Sequence, residues 1–106
     1  MTEKRQAPRR GVKEVAKIVL EAQGKVESCV ILDISATGAR LLVNSVAGLP
    51  KSFLLFRKAD LSLREAVVVR RELKSVGVRF EPPLDFESAR VQALHKFRDL
   101  APLFLR

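Results

Sequence analysis

One cysteine, one histidine, no tryptophan and no tyrosine leave this chain short of the side chains on which much protein chemistry depends. Cys29 alone can neither close an intrachain disulfide nor supply a thiolate cluster for zinc, and His95 alone excludes a histidine-rich metal site. Long apolar runs are missing too. The strongest, around residues 29–32 and 67–69, are far too short to cross a bilayer, and no apolar signal segment follows the basic N-terminus. A soluble, cytoplasmic protein is expected. Catalysis needs a nucleophile or an acid/base pair held by partners, and the carboxylates here are scattered without such an arrangement. Neither enzymatic activity nor a cofactor is expected.

What the chain does contain suits one compact unit. Its 106 residues allow one hydrophobic core, and 47% hydrophobic with 30% charged residues is a globular balance. The formal charge of +8 favours anionic partners such as nucleotides, nucleic acid, acidic proteins or lipid head groups. Much of that charge sits at the start, where Lys4, Arg5, Arg9, Arg10 and Lys13 precede any periodic segment. This reads either as an anion-seeking arm or as a solvated tail that aids solubility. The expected organisation is a basic arm over residues 1–14 and a folded domain over 15–106.

Along the domain, residues 15–22 read as a first strand, Gln23 and Gly24 as a tight turn, and residues 26–34 as the partner strand. Strict alternation in the second strand places Val30, Leu32 and Ile34 on one face and Cys29, Ile31, Asp33 and Ser35 on the other. Residues 35–38 form a compact turn, and strands follow over 39–43, 52–56, 63–71 and 76–81. Val67, Val69, Val76, Val78 and Phe80 are expected to point inward. Six short strands at close spacing predict a mainly β fold, a closed or nearly closed antiparallel barrel. Beyond Pro82 and Pro83, Asp85 is the expected cap of one amphipathic C-terminal α-helix carrying Phe86, Ala89, Ala93, Leu94, Phe97 and Leu100, which Pro102 should stop.

Most chemically capable residues have bland readings. Cys29 is expected to be a small packed side chain and His95 a helix-surface residue. The six phenylalanines fall on expected inward faces, which weakens a base-stacking platform.

Two short motifs stand apart: Arg5-Gln6-Ala7-Pro8-Arg9 in the arm and Asp33-Ile34-Ser35-Ala36-Thr37-Gly38 at a strand end. They match the RxxxR and [D/N]xSxxG signatures of PilZ domains. The setting is similar as well, since the second motif runs on into Ala39, Arg40 and Leu41, and Val76-Gly77-Val78-Arg79-Phe80 resembles a late PilZ strand. Either motif alone is weak; both in order, on the expected elements, make a far stronger signal.

The resemblance implies a six-stranded PilZ-type β-barrel that binds the bacterial second messenger cyclic di-GMP, with the arginine segment folding over the ligand. It further implies a protein effector in motility, attachment or exopolysaccharide control, and allows a ligand-dependent dimer. Arg5, Arg9, Arg10, Asp33, Ser35 and Gly38 are then the candidate ligand-binding residues. An arginine fork can pair with a phosphate or with guanine O6 and N7 while its flat face stacks on a base. Pro8 favours extended backbone at Ala7, so Arg5 and Arg9 can stand up to roughly 13 Å apart. Asp33 can accept from guanine N1 or N2 or hold an arginine, and Ser35 can bond base or backbone. Two other readings stay open: a basic barrel that binds RNA or single-stranded DNA, and a PilZ-like adaptor that works through protein contacts without ligand.

Overall fold

The computed structural model describes residues 10–105, with side chains from residue 13 onward. These residues form six strands, β1 (Arg10–Leu20), β2 (Lys25–Ile34), β3 (Gly38–Leu42), β4 (Ser52–Arg57), β5 (Ser62–Arg71) and β6 (Ser75–Phe80). All neighbouring pairs are antiparallel, and the order β1-β2-β3-β6-β5-β4 closes on itself because Lys17, Ile18 and Val19 of β1 pair with Phe56, Leu55 and Leu54 of β4. The first hairpin turns through a 3-10 segment, Glu21–Gln23, and Gly24. Gly24 has φ +65, a conformation that penalises any residue with a Cβ, and its N–H donates to Glu21 C=O.

Alternation fills the barrel. Ile18, Ile31, Leu41, Leu55, Val76 and Val78 all point inward and are almost wholly removed from water. A second core lies outside the barrel wall, where Val19, Leu54, Phe56 and Leu63 are covered by Val91, Leu94, Leu100 and Leu103 of the C-terminal segment. β4 is therefore buried on both faces, which explains its unbroken apolar run from Phe53 to Phe56. Burial of each such side chain contributes about 1.5–3 kcal/mol.

Strict alternation fails at two bulges. The β2–β3 register shifts between Ile31 and Asp33. As a result Ile31 and Ile34 both pack on the core, and Asp33 does not share the inward face of Cys29 and Ile31 but turns outward opposite Arg40. The second bulge lies between Val68 and Arg70, against β6. Here Ala66 and Val68 occupy the interior, while Val69 is 63% exposed and Val67 only half-buried. Val67 and Val69 are thus not inward residues; Val76 and Val78 are, and Phe80 packs on the edge of the same core.

The C-terminal α-helix is short. α1 spans Ala89–Gln92, with Ser88 rather than Asp85 as its cap: Ser88 Oγ accepts from the Val91 N–H at 3.3 Å. The Asp85 carboxylate accepts earlier, from the Glu87 N–H at 2.9 Å. After α1 the chain tightens into 3-10 segments, Ala93–Lys96 and Arg98–Phe104, separated by extended Phe97, and Pro102 lies inside the second without ending it. The spacing supplies the reason. Val91, Leu94, Phe97, Leu100 and Leu103 recur every third residue, which keeps one face at three residues per turn and drifts off it at 3.6. Ala89 and Ala93, expected on that face, are exposed.

Candidate functional site

β1 begins at Arg10, with the Arg10 backbone opposite Ile34 and Gly11 opposite Asp33. The point where the N-terminal arm joins the barrel therefore lies beside the Asp33 motif. Arg5 and Arg9 lie outside the described residues, and Arg10 is described through its backbone alone. Just beyond this point the β1–β2 register shifts between Gly11 and Glu14, and Lys13 adopts φ +70.

Asp33, largely buried, accepts from Arg40 Nε at Oδ2 over 3.0 Å. The bulge is what makes the pairing possible, since it turns Asp33 to the outer face that Arg40 already occupies. Ser35 organises its own turn: its N–H donates to the Gly38 C=O at 2.8 Å, and its Oγ accepts from the Thr37 N–H at 3.3 Å. The Thr37 C=O then accepts from the Phe80 N–H at 2.8 Å, which ties the turn to β6.

Gly38 has a steric reason. A Cβ there would stand 2.3 Å from the Val78 carbonyl oxygen, closer than any real contact permits, while its φ lies outside the left-handed region. Glycine at this position thus serves the close approach of β3 to β6 and not a positive-φ turn. Asp33, Ser35 and Gly38 are accordingly brought together on one strand end, each already tied to neighbouring strands.

Register extends the site sideways. Arg40 stands opposite Gly77, and Gly77 opposite Arg70, so Asp33, Arg40, Gly77 and Arg70 follow one another across β2, β3, β6 and β5 on the outer face. They line an open groove of about 330 Å³ together with Val69, Glu72 and Val78. The sequence reasoning missed Arg70, Val69 and Gly77, because only the β5 bulge turns Val69 and Arg70 outward together. Arg79, also outward, pairs with Glu81.

Elsewhere the side chains do structural work. Cys29 is 4% exposed, and burial pushes its thiol pKa up to about 12, as suits a packed residue and not a nucleophile. His95 is exposed and stacks on the Phe104 ring with centroids 3.7 Å apart. All six phenylalanines pack against one core or the other. Among the described residues no group of three or more His, Cys, Asp or Glu is placed to hold a metal ion, and no helix is long and apolar enough to cross a membrane.

The family model for the PilZ domain matches residues 3–96, a span that takes in both motifs. No curated protein matches the chain.

Proposed function

The chain belongs to the PilZ domain family, and on that footing we propose that it is a cytoplasmic cyclic di-GMP receptor that performs no chemistry and signals to a protein effector. One observation carries this reading: strand pairing sets Arg10 opposite Ile34 and Gly11 opposite Asp33, so the arginine arm is rooted beside the second motif. Peptide geometry holds the Cα of Arg9 about 3.8 Å from that of Arg10, and Arg5 lies four residues further along the arm.

In this reading Arg5, Arg9 and Arg10 engage the phosphates and guanines of cyclic di-GMP, and Asp33 fixes Arg40 or meets a guanine edge. Ser35 and Gly38 hold the turn in place against β6. Ligand binding orders the arm and changes the surface offered to the effector, whose output is motility, attachment or exopolysaccharide control. The packing of every phenylalanine against a core weighs against a base-stacking platform for RNA or single-stranded DNA.

The test is isothermal titration of the full chain with cyclic di-GMP, with GTP and cyclic GMP as controls and an Arg5→Ala/Arg9→Ala variant alongside. Selective binding that disappears in the variant is the expected result. A wild-type chain that fails to bind would leave the adaptor as the working model.

A further inference from the structure

Gly77 sits in the middle of β6, where glycine weakens a strand and needs a reason. Neither of the ordinary reasons applies. Its φ lies outside the left-handed region, and a Cβ would meet only Arg70 Cβ at 3.5 Å, ordinary van der Waals contact. The contrast with Gly38, where a Cβ collides with backbone, is direct. The barrel would accept a side chain at Gly77, and its absence leaves bare β6 backbone exposed at the floor of the groove.

The walls of that groove are specific. On one side stands Arg40, its guanidinium held by Asp33 at 3.0 Å. On the other stands Arg70, its side chain 71% exposed and 3.7 Å from Glu72. Val69 adds an apolar rim, turned outward with Arg70 by the bulge between Val68 and Arg70. Bulges commonly re-aim side chains beside binding sites, and two guanidinium planes around a flat, side-chain-free floor suit a planar base with acceptor edges.

We propose that Gly77 floors a seat for one guanine base of cyclic di-GMP, with Arg70 and Val69 as its far wall and Arg40 as its near wall. The inference rests on the receptor reading above and adds Arg70 as a binding residue and Gly77 as the position that keeps the seat open. A side chain at Gly77 fills the space a base would occupy; loss of Arg70 removes the fork that pairs with guanine O6 and N7.

Titration of cyclic di-GMP into the full-length wild-type chain and its Arg9→Ala, Gly77→Val, Arg70→Ala and Arg70→Lys variants tests this, with thermal unfolding as a check on folding. The expected result is affinity lower by about tenfold or more in Gly77→Val and Arg70→Ala, with Arg70→Lys restoring only part of it. Wild-type affinity in either Gly77→Val or Arg70→Ala, beside loss in Arg9→Ala, would overturn the seat and leave the receptor reading standing. Absence of binding by the wild-type chain would overturn both. Should Gly77→Val fail to fold, Arg70→Ala decides alone, since an exposed arginine is not needed to build the barrel.

Discussion

Arg57 at the end of β4 grips Glu14 of β1 with two parallel hydrogen bonds, Nη2 to Oε1 at 2.7 Å and Nε to Oε2 at 3.0 Å. The pair lies next to the Gly11–Glu14 register shift, where the first strand changes course on leaving the arm. Arg57 also reaches Asp60 at 3.2 Å. The hydrogen bond from Glu14 is the main reason the Arg57 pKa is raised further above its already high value.

Arg57→Ala is therefore expected to cost on the order of 1 kcal/mol, because the geometry is bidentate while both side chains keep some contact with water. Urea denaturation of Arg57→Ala, Glu14→Gln and the double variant measures this. A double-mutant cycle without coupling would show the clamp to be decorative.

Gly38→Ala should destabilise the fold by about 1–3 kcal/mol, since the new methyl must displace the Val78 carbonyl. Denaturation in the absence of ligand is the discriminating measurement. Unchanged stability would mean that the close approach of β3 to β6 can relax without cost.

Cys29 gives a pH signature. Its folded pKa of about 12 stands above the model value of 9.0, so from about pH 9 upward the unfolded chain loses the thiol proton while the folded chain keeps it. The stability that burial confers is thus complete below pH 9 and is lost as pH rises toward 12, at no more than about 1.4 kcal/mol per pH unit. Comparing wild type with Cys29→Ala across that range isolates the effect. The wild type should lose stability faster, and parallel curves would contradict the assignment.

Leu100→Ala should cost about 2–5 kcal/mol although Leu100 lies outside the barrel, because it is wholly buried against β4 and the C-terminal segment. Calorimetric unfolding would show a lowered Tm. A value near wild type would mean that the segment merely rests on the wall.

The strands were legible because each carries a run of alternating or continuous apolar residues ended by turn residues, and Gln23 with Gly24 marked the first hairpin. Both motifs could be read directly, since they lie within single stretches of chain. The bulges could not be read. Asp33 and Val69 face outward because of one extra residue in a ladder, and that residue is defined by its partner strand rather than by its own neighbours. The groove between Arg40 and Arg70 was hidden for the same reason: its parts come from four strands and meet only through register. The C-terminal segment misled in another way. Phe86, Ala89, Ala93, Leu94, Phe97 and Leu100 fit an α-helical stripe about as well as Val91, Leu94, Phe97, Leu100 and Leu103 fit a three-residue one, and only the wall of β4 chooses between them.

That three-residue spacing governs how the segment can change in length. Removing or adding a whole triplet between Leu94 and Leu100 shifts the chain along its axis yet returns every leucine to the same side, whereas a single-residue insertion rotates all that follows by about a third of a turn. Leu100 and Leu103 would then face water together, and the outer wall of β4 would be stripped in one step. The C-terminal strap is thus a ratchet with teeth three residues apart, and its tolerance for insertion and deletion is quantised in triplets.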